Sequence, residues 1–266
     1  MGTWVAGLSL ALAAQGTGQP GPDWKVKVNA VCAAVDLPAQ SKIGKPETTE
    51  SGTLITTDFG LVSFDAKGAF RTIDVFQSKY LKDHPVGKAS DALQLAIGYG
   101  ERLGLGKQIR QKLGSAICRV ELRARYWELT YQDRFRGYPC DDGDRLQVRL
   151  KGNGNLLKFS AMLGHTYVAP RVSISLDRAA RIAQQVFRQN SRWFDDADRK
   201  AIDDLAILRK NASLRYKRGD GTFGGGKPEP GGTGSPLRLR YVVAARPCTV
   251  VIDAETGQVV GGSIRK

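Results

Sequence analysis

The residues of this sequence that could do chemistry are carboxylates that lie close together in short polar segments. Paired carboxylates can act as general acid and base, and dense groups of them bind divalent cations. The candidates are Asp141, Asp142 and Asp144, then Asp195, Asp196 and Asp198, then Asp203 and Asp204, and finally Asp253 and Glu255. The first group resembles a fragment of a calcium loop, but the later Glu of such a loop is missing. We therefore favour turn and helix-cap roles for the first three groups, because Asp commonly fills both.

The last pair, Asp253 and Glu255, lies in a pattern that the sequence contains three times. Each copy reads as a strand, a polar turn, a glycine and a second strand, and the copies span 62–70, 148–156 and 250–259. The equivalent turn positions hold Asp65 and Lys67 in the first copy and Lys151 and Asn153 in the second. A catalytic acid–base pair could not be exchanged so freely between units of one shape. We therefore predict that Asp253 and Glu255 form a turn, and one active copy among degenerate ones is the less favoured alternative.

The sequence offers no other catalytic or metal-binding arrangement. Neither histidine, His84 or His165, has a nucleophile and an acid placed near it in the sequence as a catalytic triad would need. A zinc site would need more histidines or a C-x-x-C pair. The glycines of residues 98–106 follow a helix rather than a strand, so they do not predict a phosphate-binding loop. The sequence thus predicts no catalytic residue, no metal ligand and no cofactor, and a protein that is not an enzyme.

Four cysteines allow either two disulfides in an exported protein or four free thiols. They are Cys32, Cys118, Cys140 and Cys248. Cys140 and Cys248 share a context, since each follows a proline and precedes an apolar strand. We take these two as the candidate disulfide pair, with buried free thiols as the alternative.

The charge of the chain favours an anionic partner. Its 266 residues include 40 Lys and Arg against 26 Asp and Glu, which gives a formal net charge of +14. Such a balance suits nucleic acid, acidic polysaccharide, anionic lipid or an acidic protein surface. Because the basic residues are spread along the chain, a solvated basic surface without a specific partner is the alternative.

Residues 1–20 resemble a secretory signal segment. An apolar run at 5–14 ends in Ala and includes the small-x-small pattern of a cleavage site, although no positive residue precedes the run. A buried strand or helix is the alternative. The run is too short to span a bilayer, and no other segment approaches the necessary length. The sequence therefore predicts a protein that is secreted or held in the cell envelope, with no integral membrane segment in the mature chain.

The remaining patterns place helices, strands and one loop. Apolar residues at helical spacing predict helices at 88–105 and 175–190, with Ser175 as the N-cap of the second, and a further helix is predicted at 198–210. The strongest strand signal is the alternating, aromatic stretch 117–132. Residues 218–236 are rich in Gly and Pro with a single large apolar residue, so we predict a disordered loop there.

These elements predict an α+β fold that is built from repeated units, each with a helix packed on an antiparallel sheet. After the signal segment we expect a partial, strand-rich unit without a clear helix at 21–85. One complete unit follows at 86–168. A second, which contains the loop 218–236, follows at 169–266.

Both complete units resemble the propeptide-type modules known as PepSY and FTP domains, which occur in pro-regions of thermolysin-like metallopeptidases and in secreted bacterial proteins. In the first unit, the resembling features are Trp127 and Tyr131 in a strand, the turn 137–139, the Gly-Asp pair 143–144 and the hairpin around Gly154. In the second unit, they are the helix start at 176–183, the strand 241–243 and the hairpin 250–259. The resemblance covers roughly two thirds of the chain.

The resemblance implies cystatin-like units, in each of which a curved antiparallel sheet surrounds a helix. In peptidase pro-regions it also implies inhibition or assisted folding of an attached catalytic domain. This sequence has no H-E-x-x-H motif, and no peptidase domain follows the last hairpin. What the resemblance implies here is a stand-alone exported module that binds or inhibits a protein partner, such as a secreted peptidase.

Three functional hypotheses follow, of which the third, an enzyme of unrecognised type, is the least favoured. The first is this non-enzymatic PepSY-like module, and its candidate contact surface combines aromatic and Arg residues, which are favoured at interface centres. The surface consists of Trp127, Tyr131, Arg134, Phe135, Arg136 and Tyr138, and for Trp127 and Tyr131 a core position is the alternative. The second is a protein that binds an acidic polymer, either cell-envelope polysaccharide or nucleic acid. Its basic stripe would combine Arg119, Arg123 and Arg125 on one face of a regular strand.

Overall fold

The structure, a computed structural model, describes residues 23–49, 52–76, 85–224, 228–229 and 235–264. The predicted signal segment at 1–20 and His84 lie outside the described residues. The described part of the chain has the predicted α+β fold, with helices and antiparallel sheets. It divides into two compact units, of which the first comprises residues up to Tyr131 together with Leu146–Ala161. The second comprises Gln132–Arg145 together with the residues from Met162 onward.

The first unit combines helices α1 (Trp24–Ala34), α2 (Ala89–Gly100) and α3 (Gly106–Leu113) with an eight-stranded sheet. Between residues 47 and 162, the residues that the structure describes form ten strands, eight of which make up this sheet. They are β1 (Glu47–Thr49), β2 (Gly52–Thr56), β3 (Gly60–Asp65), β4 (Phe70–Val75), β5 (Arg119–Leu122), β6 (Tyr126–Gln132), β7 (Arg134–Phe135), β8 (Tyr138–Pro139), β9 (Arg145–Lys151) and β10 (Leu156–Met162). The sheet has the order β1-β2-β3-β4-β10-β9-β6-β5, and β7 and β8 form a separate two-stranded ribbon.

In its described residues, the second unit contains the β7–β8 ribbon, three α-helices and a four-stranded antiparallel sheet. The helices are α4 (Leu176–Gln189), α5 (Asp196–Asp203) and α6 (Leu205–Lys210), and the strands are β11 (Ala212–Lys217), β12 (Arg238–Ala245), β13 (Cys248–Asp253) and β14 (Val259–Ile264). The sheet runs in the order β11-β12-β13-β14. Small residues such as Ala179 and Ala183 on α4 pack in one core with Val243 and Val250 of the sheet. Ser175 caps α4 as predicted, because its side chain accepts from the Arg178 N–H at 3.2 Å.

All three predicted hairpins are confirmed. They are β3–β4, β9–β10 and β13–β14, and the predicted turn glycines Gly68, Gly154 and Gly257 have φ values of 77°, 81° and 78°. Only glycine adopts this region without a steric cost, so a glycine at each turn follows from the local geometry.

Two of the predicted elements differ from the structure. The strand predicted at 117–132 is the β5–β6 hairpin, because the chain turns where the Arg123 N–H donates to the Tyr126 carbonyl at 2.8 Å. The helix predicted at 198–210 is two helices, since Asp204 leaves helical geometry and caps α6. The helix predicted at 88–105 is confirmed as α2 followed directly by a π-helical segment, Glu101–Leu105, and α3 follows it unpredicted. The predicted loop 218–236 lies partly outside the described residues, and in its described part the Gly221 N–H donates to the Val260 carbonyl at 3.1 Å.

The predicted division of the chain also differs from the structure. The segment 21–85 has a helix, α1, whose start alternates Lys with apolar residues and therefore reads like a strand in sequence. Its strand β4 pairs with β10 through Ile73 and Phe159. The segments predicted as a partial unit and a first complete unit therefore share one sheet.

Candidate binding face on the C-terminal sheet

The four-stranded sheet of the second unit has two faces of different character. Alternate residues of β12, including Leu239, Tyr241 and Val243, enter the core beside α4. The opposite face contributes the floor of a cleft of about 390 Å³, which is a volume typical of ligand sites. Its strand residues are small, polar or valine, with two cations: Ser213, Arg215, Lys217, Val242, Ala244, Thr249, Val251, Gly262 and Ser263.

Basic residues lie opposite each other on the two strands β11 and β12. The register pairs Arg215 with Arg240 and Lys217 with Arg238. Residues directly opposite in an antiparallel pair have neighbouring side chains, and like charges there repel. The arrangement therefore needs anionic partners to be stable.

Carboxylates from three loops supply those partners. Asp141 and Asp142 come from the loop before β9, Glu229 from the Gly/Pro-rich segment and Glu255 from the β13–β14 turn. The pairs are Arg215 Nη1 to Asp141 Oδ1 at 3.1 Å, Lys217 Nζ to Asp142 Oδ2 at 4.0 Å, Arg238 Nη1 to Glu255 Oε2 at 4.0 Å, and Arg240 Nη2 to Glu229 Oε1. Two further carboxylates lie on this face, since Asp220 lines the cleft and Asp253 lies directly opposite Arg240 on β13. The face is thus polar and carries charges of both signs.

Asp220 closes the cleft at β14. Its Oδ1 accepts from the Gly262 N–H at 3.0 Å and from the Thr222 N–H at 2.9 Å. Burial raises the pKa of this carboxyl, but the hydrogen bonds from Thr222 and Gly262 and the charge of Lys217 lower it more. The Asp220 pKa therefore lies below its ordinary value of 3.8.

Asp220 is expected to stabilise the fold above pH 3.8 and to lose that contribution as the pH falls through the lowered folded-state pKa. We expect the urea midpoint of Asp220→Asn to lie below that of the unmodified protein at about pH 6, and the difference to shrink by about pH 3. Urea unfolding at several pH values measures this. An equal difference at all pH values would show that the Asp220 charge does not matter.

Most of the carboxylates that the sequence singled out serve local structure. Asp253 Oδ1 accepts from the N–H groups of Glu255 and Thr256 at 3.0 and 2.9 Å, which confirms its place in a turn. Asp195 caps α5 and Asp204 caps α6. Among the described residues, no three His, Cys, Asp or Glu side chains are grouped so that they could hold a metal ion.

The six residues predicted as a contact surface belong to different units. Trp127 and Tyr131 lie in the first unit, where the Trp127 Nε1 donates to the Val86 carbonyl at 3.3 Å. Tyr131 is buried, as its alternative interpretation predicts, and the Lys112 ammonium lies 5.1 Å from its ring centre. Tyr131 therefore presents no free aromatic surface, whereas Trp127 is partly exposed.

The other four residues form the β7–β8 ribbon of the second unit. Phe135 stacks on Tyr167 with ring centres 4.9 Å apart, and Tyr138 also packs against the core. Arg134 and Arg136 are exposed, and Arg136 lies at the tip with a φ of 49°. The aromatic residues of this group therefore anchor the ribbon, and only its two arginines face solvent.

The predicted basic stripe does not form. Arg119 lies on β5, but Arg123 and Arg125 lie in and next to the turn that separates β5 from β6. Arg123 also pairs with Glu121 and Glu128. The prediction was wrong because it required one continuous strand.

The predicted disulfide is absent, and Cys140 and Cys248 are buried free thiols. The two cysteines lie at opposite ends of β12. Cys140 lies beside Tyr216, which pairs with Leu239 at the start of this strand. Cys248 pairs with Ala245 at the end of the strand. Six residues of strand correspond to about 20 Å, and a disulfide needs Cα atoms within about 7 Å. Burial raises the pKa of the Cys140 thiol to about 11.

His165 lies in a buried polar network of the second unit. Its Nδ1 is 3.0 Å from Asp144 Oδ1, which also accepts from the His165 backbone N–H at 2.9 Å. The Tyr167 hydroxyl donates to Asp133 Oδ2 at 2.7 Å and accepts from the Asp144 N–H at 3.3 Å. This network joins the loop 133–144 to the segment 165–167.

The two cation pairs of β11 and β12, Arg215 with Arg240 and Lys217 with Arg238, were not predicted from the sequence. The available signal was the alternation of basic and apolar residues in R-Y-K at 215–217 and R-L-R at 238–240. Each motif alone indicates only a strand with one basic face. Their pairing depends on a register across the twenty residues between them, which the sequence does not specify.

Comparisons with known proteins give one structural likeness. No family model and no curated protein matches the sequence. The solved structure of the Bacillus megaterium YpeB C-terminal domain aligns with 94% of this chain and 100% of its own, at 13% identity and a TM-score of 0.39. No helix in the described part of the chain is both long and apolar enough to cross a membrane. A functional assignment therefore has to come from the residues of the chain itself.

Proposed function

We propose that this protein is an exported, non-enzymatic PepSY-like module that binds a segment of a protein partner on the open face of its four-stranded sheet. The observation that carries the proposal is the cleft of about 390 Å³ on the sheet face opposite α4. The partner class that the PepSY resemblance suggests is a secreted peptidase, which the module would inhibit.

The charge distribution of the cleft supports a protein partner over an acidic polymer. A polymer of phosphates or uronic acids binds best to cations without neighbouring carboxylates. The two cations that line the cleft, Arg215 and Lys217, each have a carboxylate within 4.0 Å. Their neighbours on β12, Arg238 and Arg240, are paired in the same way. A protein segment can meet a mixed surface with side chains of both signs, and Val242 and Ala244 offer it apolar contact.

The roles of the carboxylates support a binding module over an enzyme. Asp253 is committed to its turn, and Asp220 holds the backbone of β14 and of residue 222. Carboxylates that already accept several backbone hydrogen bonds are poor proton donors and acceptors for a substrate.

The test is a titration of the purified protein into a thermolysin-like metallopeptidase, with residual peptidase activity as the readout. We expect saturable inhibition. Ala244→Trp, which fills the cleft from an exposed position on β12, should raise the inhibitory midpoint at least about tenfold. Gln185→Trp is the matched control, because it places the same side chain at an exposed position of α4 and should leave the midpoint unchanged.

Two outcomes would contradict the proposal. One is an absence of inhibition, and the other is an equal response of both Trp variants. An inhibitory midpoint whose logarithm changes steeply and linearly with that of the salt concentration would instead favour polyanion-type binding.

A further inference from the structure

Arg240 is a buried cation whose hydrogen-bonding capacity is only partly used. Its side chain is 1% exposed, and its Nη2 contacts Glu229 Oε1. Among the described residues, neither its Nε nor its Nη1 has a hydrogen-bond partner. A buried N–H group left unpaired costs about 1–3 kcal/mol. A guanidinium frequently binds a carboxylate through two parallel hydrogen bonds. Arg240 therefore has N–H donors left for a further acceptor.

Glu229 occupies this site through one oxygen on Arg240 and one on the backbone. Its Oε2 accepts from the Gly219 N–H at 3.0 Å, and its own N–H donates to the Gly219 carbonyl at 2.8 Å. A Cβ at residue 219 would lie 2.8 Å from Arg240 Nη1 and 2.5 Å from the Val260 carbonyl oxygen. Glycine is therefore needed here for the backbone N–H to approach the guanidinium. Together, Arg240 and the Gly219 N–H make a built carboxylate site.

The site opens to solvent where Glu229 lies. The Glu229 side chain is 37% exposed, although the arginine beneath it is buried. Arg240 also lies opposite Arg215, which lines the cleft. A segment bound on the sheet face can thus bring a carboxylate to the position that Glu229 holds.

We propose that Arg240 and the Gly219 N–H bind a carboxylate of the partner segment, and that Glu229 is an internal competitor for the same site. The identity of the ligand as a protein segment rests on the proposed function. A carboxylate at Arg240 implies that the recognised segment contains an acidic residue. A tethered competitor acts at a high effective concentration. Its removal should therefore strengthen the binding of an acidic ligand.

The first experiment uses acetate as the probe and needs no partner. The thermal midpoint of Glu229→Ala is measured with increasing sodium acetate against sodium chloride at equal ionic strength. We expect a saturable rise of the midpoint with acetate in this variant and none in the unmodified protein. Glu255→Ala is the matched control, because it removes a carboxylate that pairs with the exposed Arg238 and Arg171.

An acetate response of Glu229→Ala that does not exceed that of Glu255→Ala would overturn the proposal. Glu229→Ser gives the same readout should the Ala variant not fold. A saturable response that disappears when Arg240→Leu is added to Glu229→Ala would assign the acetate to Arg240.

A second experiment separates this proposal from the proposed function. In the peptidase titration, Glu229→Gln should lower the inhibitory midpoint about tenfold, because the competitor loses its charge but keeps its shape. If Ala244→Trp abolishes inhibition while Glu229→Gln and acetate have no effect, the cleft is confirmed and the carboxylate site is wrong. If acetate binds but no peptidase is inhibited, the site stands and the peptidase is the wrong partner.

Discussion

Replacement of Tyr216 by Ala is expected to lower the free energy of unfolding by about 3–5 kcal/mol, the usual cost of removing a buried aromatic ring. Tyr216 is fully buried, and its ring centre lies 5.4 Å from those of both Phe135 and Tyr167 in edge-on contacts. Its hydroxyl donates to the Val168 carbonyl at 2.8 Å. The substitution would leave a cavity beneath the β7–β8 ribbon and remove a hydrogen bond. Urea unfolding followed by circular dichroism measures the loss.

Tyr216→Phe is the control for this prediction. It keeps the ring and removes only the hydroxyl, so it should cost about 1 kcal/mol. Because Phe135 packs on the ring, hydrogen exchange at the amides of the β7–β8 ribbon should accelerate in Tyr216→Ala and hardly change in Tyr216→Phe. Equal destabilisation by both variants would mean that the ring packing contributes little.

The features that the sequence predicts correctly are those that a few neighbouring residues determine. Gly68, Gly154 and Gly257 mark the three hairpins because each turn needs a positive φ that other residues reach only with strain. Ser175 marks the start of α4 because its hydroxyl satisfies a free N–H of the first turn. Asp253 could be assigned to a turn by comparison of the three copies.

The features that the sequence does not predict depend on residues far apart in the chain. The pairing of β4 with β10 joins residues 73 and 159. The start of α1 alternates Lys with apolar residues, as a strand would. In the helix, the Trp24 ring packs on Phe64 of β3, with ring centres 5.3 Å apart. The two cation pairs require the register of β11 on β12. Local patterns carry no information on any of these.

The overall charge is a poor guide to the candidate site for a related reason. The chain carries a formal +14, which points to polyanions. The two cations that line the cleft, Arg215 and Lys217, however, are matched by Asp141 and Asp142 of the loop before β9. Electrostatic recognition depends on the charges within about 10 Å of the ligand, because salt screens the rest. The local balance therefore outweighs the total in deciding what kind of segment fits.

Replacement of Asp144 by Leu is expected to cost roughly 2–4 kcal/mol of unfolding free energy, because the buried backbone N–H and Nδ1 of His165 both lose their partner. Asp144 and His165 are both buried, with 7% and 1% of their side chains exposed. The backbone N–H of His165 donates to Asp144 Oδ1 at 2.9 Å, and the His165 Nδ1 lies 3.0 Å from the same oxygen. The His165 Nε2 has no partner among the described residues, so no second contact of the ring offsets the loss.

Asp144→Asn is the control, because it keeps the size of the side chain and a carbonyl oxygen but removes the carboxylate. The amide keeps an oxygen that can accept from the His165 backbone N–H, so this variant should lose less than about 1.5 kcal/mol. The Asp144 backbone still bonds to Tyr167 and Asp133 in both variants, so a difference between them reports on the side chain. Comparison of the two urea midpoints measures it. If Leu were tolerated as well as Asn, apolar packing would hold the loop 133–144 in place, and the buried His165–Asp144 pair would contribute to specificity of the fold and not to its stability.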